Sequence, residues 1–206
     1  RGDAALKSVF MRHVPEAATQ RLLLEKGDID VARELTPVDI EGMAGNADVK
    51  VQADVGGQIF YLAFNQKNEN YKNAKFLEAM RWAVDYQGMA DTFLKGNMVP
   101  HQAFLPKGYL GAMEDLPYSL DIEKAKALLA EAGHPSLTMD IVAYRERNQT
   151  EALIGYLQAV GIKTNLRFLQ YAAMREQIAT NKAMLTHQTW GSFSVNDVSA
   201  STPYFF

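Results

Sequence analysis

The feature that most constrains the fold is a regular alternation of strand-like and helix-like segments in the last third of the chain. Three apolar, β-rich segments are separated by two segments whose apolar residues recur at helical spacing. In chain order, these are a strand at residues 137–143, a helix at 150–160, a strand at 162–169, a helix at 172–181 and a strand at 184–190. This order favours an α/β fold in which helices pack over a mixed or parallel sheet.

The first part of the chain also mixes the two kinds of element. Strands are predicted at residues 8–13, 29–32, 49–54 and 59–65, and helices at 16–26, 36–45, 74–95 and 122–132. The segment 59–65 is a nearly continuous apolar run, which is typical of a central strand covered on both faces. Thr36 and Asp121 are predicted N-caps, Gly133 is a predicted helix stop, and Gly88 is the predicted break in the helix at 74–95.

Residues 98–118 lack periodicity and contain Pro, Gly, His and scattered aromatic residues. We therefore predict a long loop that is an excursion from one α/β unit spanning residues 1–206. Neither end of the sequence resembles a natural terminus, because the chain opens on Arg1 and closes on the apolar residues 203–206. We expect a segment of a longer protein.

Bulk composition excludes several classes of function. The 206 residues contain 21 basic and 24 acidic side chains, giving a formal net charge of -3 without a basic block, so a nucleic acid partner is not expected. The absence of cysteine excludes disulfides, thiolate catalysis and cysteine-ligated metals. No apolar run approaches the roughly 20 residues needed to span a bilayer, so direct membrane insertion is not expected.

Motifs for catalysis, metals and cofactors are also missing. The four histidines are widely separated and show no metal-ligand spacing, so we predict neither a metal site nor a cofactor. No glycine-rich phosphate loop and no GxSxG elbow occur. A small serine-type hydrolase built from Ser192, Asp197 and His187 is the catalytic alternative, and a polar loop is the simpler interpretation of the same residues.

Two segments that follow predicted strands contain side chains suited to ligand binding. In an open α/β sheet, ligands bind beyond the carboxyl ends of the strands. Arg145 and Arg147, followed by Asn148, could clamp a carboxylate there, although a solvated charged loop before a helix is the alternative. The second segment joins an aromatic residue, which could instead cap the core, to small and polar residues. Its candidate residues are Trp190, Gly191, Ser192, Asn196 and Asp197.

Four stretches resemble one family in the same order along the chain. They are residues 14–30, which end in Gly-Asp-Ile-Asp; Phe64-Asn65 with the following helix to residue 86; residues 121–133, which read D-x-x-K-A-K-x-L-L-x-E-A-G; and Trp190-Gly191. Together they resemble the family 5 extracellular solute-binding proteins, the receptors of peptide and nickel ABC importers. The resemblance covers nearly the whole chain.

The resemblance implies a non-enzymatic protein that binds a solute outside the cytoplasmic membrane of a bacterium, periplasmic or membrane-tethered. The expected architecture is the type II periplasmic-binding-protein clamshell, of which this chain is most of the second lobe. The implied partners are a peptide or similar polar solute and the membrane permease, and the implied receptor is a monomer. In peptide-binding relatives, a basic residue matching Arg145 or Arg147 can meet the ligand carboxylate.

One departure from the family pattern concerns the amino terminus of a peptide ligand. Relatives place an Asp a few residues after the Trp-Gly pair, whereas here Ser192 follows and Asn196 and Asp197 come later. Recognition of a free amine is therefore not implied. A nickel chelate, an oligosaccharide and a protein-interaction module without a small ligand remain alternatives.

Overall fold

The computed structural model describes residues 4–33, 35–52, 56–134, 136–191 and 199. Its centre is a four-stranded sheet with the order β1-β4-β2-β3, in which β2 is parallel to both of its neighbours and β1 is antiparallel to β4. The strands are β1 (Gln58–Phe64), β2 (Thr138–Ala143), β3 (Lys163–Phe168) and β4 (Leu185–Gly191). The predicted α/β fold with a mixed sheet is confirmed.

Helices connect and cover the strands. They are α1 (Ala17–Glu25), α2 (Pro37–Gly42), α3 (Ala74–Trp82), α4 (Tyr86–Asp91), α5 (Ile122–Glu131), α6 (Arg147–Ala159) and α7 (Tyr171–Ala179), with a short 3-10 turn at Glu69–Lys72. The predicted caps form: the Thr36 side chain accepts a backbone N–H at the start of α2, and Asp121 does so at the start of α5. Gly133, with φ of 81°, lies just beyond α5 in the left-handed region. In the described part of the chain, none of the helices has both the length and the apolar character needed to span a bilayer.

Helices pack on both faces of the sheet. The main core joins α3, α5 and α6 to one face, with Phe76, Leu129, Ile141, Leu157 and Leu185 almost fully buried. On the other face, a smaller cluster joins Val142 of β2 to Met174 of α7 and to Ala183. Burial of apolar surface at both faces is the main favourable contribution to folding.

Several predicted strands are wrong. Residues 8–13 and 29–32 form no strand, although both segments contain β-formers. Of the strand predicted at 49–54, residues 49–52 form no strand, and residues 53 and 54 lie outside the described residues. The apolar strand β1 pairs with β4 on one side and is an edge strand of the described sheet, with every residue only half-buried. An apolar run reports burial of side chains, not the number of backbone neighbours, so it does not locate a strand within a sheet.

Helix boundaries also differ from the prediction, as at the end of α2, which lies at Gly42 rather than at residue 45. The helical stretch 74–95 divides at Ala83–Asp85 rather than at Gly88, because the Asp85 carboxylate accepts the Gly88 N–H at 2.8 Å and caps α4. Helix α6 begins at Arg147, three residues before the predicted start, so Arg147 and Asn148 belong to its first turn rather than to a loop.

Candidate functional site

The carboxyl ends of β2, β3 and β4 lie at the same edge of the sheet, because these three strands run parallel to one another. The segment after β2 contains Arg145 and Glu146 and leads directly into α6. The segment after β3 leads into α7 at Tyr171. This edge is where an open α/β sheet offers space for a ligand between connecting segments.

Arg145 is held at this edge by a neighbour in the sequence. Its Nε lies 3.0 Å from Oε1 of Glu146, and its guanidinium carbon lies 5.9 Å from the ring centre of Tyr144. Burial lowers the pKa of Arg145, but hydrogen bonds to Tyr144 and Glu146 and the Glu146 charge raise it, and the net direction is upward. Arg145 is therefore a positioned cation, partly neutralised by the Glu146 carboxylate.

Arg147 and Asn148 are exposed on the first turn of α6. The Arg147 Nη1 atom lies 3.2 Å from Oε1 of Glu151, one helical turn further along. Its guanidinium carbon lies 4.4 Å from the ring centre of Phe168, the last residue of β3. Arg147 thus covers the end of β3 by a cation–π contact.

Trp190 and Gly191 lie on the part of β4 that extends beyond its pairing with β2. Strand β4 pairs with β2 at Leu185 and Thr186, whereas its pairing with β1 continues to Gly191. At about 3.3 Å per residue, Trp190 lies about 13 Å along the strand from Thr186. The other members of this predicted segment, Ser192, Asn196 and Asp197, lie outside the described residues.

Gly191 has a structural reason to be glycine. A Cβ atom at this position would lie 2.0 Å from the Gly57 carbonyl oxygen and 2.7 Å from the Gln58 Cα atom, both of which are backbone atoms. Only a residue without a side chain permits this close approach of β1 and β4.

Two of the candidate ligand-binding residues, Arg147 and Trp190, lie on different faces of the sheet. Successive side chains of a strand point to opposite faces. Leu185 and His187 face the main core and α6, so Trp190 points to the opposite face, which α7 covers. Because Arg147 lies on α6, Arg147 and Trp190 are on opposite sides of the sheet.

A group of tyrosines on the α7 face was not predicted as part of the site. The rings of Tyr144 and Tyr171 lie 5.0 Å apart, and Tyr171 is 55% exposed. Tyr61 of β1 lies close enough to Tyr144 and Arg175 to interact electrostatically, and burial raises the pKa of Tyr61 to about 12. Position in the sequence could have identified Tyr171. It begins α7 after β3, just as Arg147 begins α6 after the segment that follows β2.

His187 does not have the environment of a catalytic base. It is 4% exposed, and burial lowers its pKa to about 4, so the ring is neutral near pH 7. Its Nδ1 atom lies 2.7 Å from the Thr150 hydroxyl. The other residues of the hydrolase alternative, Ser192 and Asp197, lie outside the described residues. Within the described ranges, no group of three or more His, Cys, Asp or Glu side chains comes together in a way that could hold a metal ion.

Sequence comparison assigns the family. The profile of the bacterial extracellular solute-binding proteins, family 5 Middle, matches residues 1–206, and the chain belongs to this family. The resemblance noted from the sequence motifs is thereby confirmed. The hydrolase alternative is not favoured, because the proteins of this family bind solutes.

Relatives and solved structures agree with this assignment. The chain is 26% identical to the heme-binding protein A of Haemophilus influenzae, covering 86% of this chain and 34% of that protein. It is also 26% identical to the probable D,D-dipeptide-binding periplasmic protein DdpA of Escherichia coli, covering 89% and 37%. The fold matches the ABC transporter-associated periplasmic binding protein DppA from Helicobacter pylori in complex with peptide STSA, with a TM-score of 0.82, 19% identity and coverage of 92% and 38%. The chain spans little more than a third of the length of these proteins.

Proposed function

We propose that this chain is one lobe of the substrate-binding component of a bacterial ABC importer, located in the periplasm or tethered outside the cell. The match of the family profile to residues 1–206 carries this proposal. The short span relative to the similar proteins supports a second lobe elsewhere in the receptor. Residues 1–206 then form a single α/β unit, with 98–118 as an excursion from it.

The proposed ligand is a peptide or a solute of similar size and polarity. Two similar proteins support this class of ligand. One is the probable D,D-dipeptide-binding periplasmic protein DdpA, and the other is DppA, whose structure contains the peptide STSA. A third is a heme-binding protein, so family membership alone does not select the ligand. Capture requires no bond chemistry and no cofactor: the lobes close around the solute, and the closed receptor, a monomer, engages the membrane permease.

The proposed contacts lie at the carboxyl edge of the sheet. Arg145 is the cation best placed to donate charge-assisted hydrogen bonds to a ligand carboxylate, because it lies beside Tyr144, and the paired rings of Tyr144 and Tyr171 can cover the apolar part of a solute. Trp190 supplies a further aromatic wall, and Gly191 allows the close strand pairing that supports it. The remaining proposed contacts are Arg147, Asn148, Ser192, Asn196 and Asp197.

Native mass spectrometry of the complete receptor, purified without refolding, tests the proposal. We expect a co-purified peptide-like mass that is lost in Arg145→Ala. The matched control is Lys126→Ala, which removes an exposed cation on another element, α5, where it forms an ion pair with Glu123. A sugar or a metal chelate would redirect the ligand assignment to the other classes. A receptor that never carries or binds a small solute would overturn the proposal.

A further inference from the structure

A chain of hydrogen bonds connects β4 to the segment that holds Arg145. His187 Nδ1 lies 2.7 Å from Thr150 Oγ1, and Thr150 Oγ1 lies 2.9 Å from the backbone oxygen of Glu146. The Thr150 backbone N–H also donates to that oxygen at 3.0 Å. His187 and Thr150 are both nearly inaccessible to solvent, so water does not compete for these bonds.

The single proton of the Thr150 hydroxyl determines which group donates and which accepts in each of these hydrogen bonds. A threonine hydroxyl has one proton to donate and two lone pairs to accept with. When it donates to the Glu146 oxygen, it must accept from His187, so the neutral imidazole carries its proton on Nδ1. His187 donates to Thr150, and Thr150 donates to Glu146.

Glu146 needs such support because its backbone is strained. Its φ of 56° and ψ of 52° place a residue with a side chain in the left-handed region. The two bonds to its carbonyl oxygen hold the peptide in that orientation. Its carboxylate in turn contacts the Arg145 Nε at 3.0 Å and the Gln149 side chain at 3.4 Å.

We propose that Thr150 and His187 are positioning residues, which hold Glu146 in the left-handed conformation and thereby set the direction of the Arg145 guanidinium. The pair also links β4, which continues from His187 to Trp190, to the segment that contains Arg145. The assignment of a ligand to Arg145 rests on the proposed function, whereas the positioning of Arg145 does not.

The test uses the complete receptor and needs no ligand. Thr150→Val removes the hydroxyl with little change of shape, and Thr150→Ser retains it. Thr180→Val is the matched control, because Thr180 makes the same bond to the carbonyl four residues earlier, at 2.8 Å, on the exposed end of α7. The measurements are hydrogen exchange of the peptide spanning residues 144–151 and nitrogen-15 spectra of the histidine rings.

For wild type we expect a protected Nδ1–H signal from His187. Thr150→Val should abolish that signal and raise exchange in residues 144–151 by roughly fivefold to tenfold, the loss expected for one buried hydrogen bond. Thr150→Ser should restore both, and Thr180→Val should change neither. Unaltered exchange and an unaltered His187 signal in Thr150→Val would overturn the proposal. A His187 ring that carries its proton on Nε2 in the wild-type protein would also overturn the proposal, whether or not Thr150→Val folds.

The outcome separates this proposal from the proposed function. Altered exchange in Thr150→Val together with unchanged solute retention in Arg145→Ala would leave the positioning intact and remove Arg145 from the ligand site. Unaltered exchange in Thr150→Val together with loss of the solute in Arg145→Ala would remove the positioning role and leave Arg145 in the ligand site.

Discussion

His187 makes the stability of the fold depend on pH between about 4 and 6.5. Burial lowers the pKa of this histidine from its ordinary value of 6.5 to about 4 in the folded protein. Between these values, the unfolded chain binds a proton that the folded chain does not, so falling pH favours unfolding. The two pKa values differ by about 2.5, and each unit corresponds to about 1.4 kcal/mol, so the loss across this window is roughly 3 kcal/mol.

Urea denaturation of the complete protein across this pH range measures the effect. In His187→Asn, which cannot take up the proton, the free energy of unfolding should fall by roughly 3 kcal/mol less than in wild type over the same window. His13→Asn, which replaces an exposed histidine, is the control for loss of an imidazole. Equal pH dependence in His187→Asn and wild type would refute the assignment of a buried, neutral imidazole.

Four further substitutions test packing and local structure by urea denaturation. Gly191→Ala should destabilise by about 1–3 kcal/mol, because its Cβ would lie 2.0 Å from the Gly57 oxygen, whereas Gly155→Ala in α6, where that Cβ has open space, should stabilise by about 0.5–1 kcal/mol. Phe76→Ala, at a fully buried site, should cost about 3–5 kcal/mol, and a cost below 1 kcal/mol would contradict the described core. Asp121→Ala should cost about 1 kcal/mol through loss of the cap on α5, with no change if that cap is absent.

Local signals in the sequence predicted most elements in the second half of the chain. Helix α5 was predicted nearly to its ends, because Asp121 and Gly133 act within one turn of the backbone they cap. The order of strands and helices from residue 137 onward was also right. In the first half, β-forming residues at 8–13 and 29–32 did not form strands, since a strand needs a partner that local sequence does not specify.

The positions of the candidate residues were predicted in part, whereas their role in ligand binding stays a prediction. Position after β2 identified Arg145, which the structure places at the sheet edge with Glu146 and Tyr144. The side of the sheet on which each candidate lies was not predictable, and Arg147 and Trp190 fall on opposite sides. Tyr61 was not among the candidates, because it approaches Tyr144 from β1, far away in the sequence, through antiparallel pairing of β1 with β4.

Family membership, the α/β class and the capped starts of α2 and α5 followed from the amino-acid sequence, because motifs, apolar periodicity and caps act over a few residues. The edge position of β1, the separation of Arg147 from Trp190 and the bond from His187 to Thr150 required the folded chain. Each of these depends on which distant segments pair and on which face a side chain then points to. Strand pairing between residues more than 100 positions apart is set by the packing of the whole core, and no local pattern encodes it.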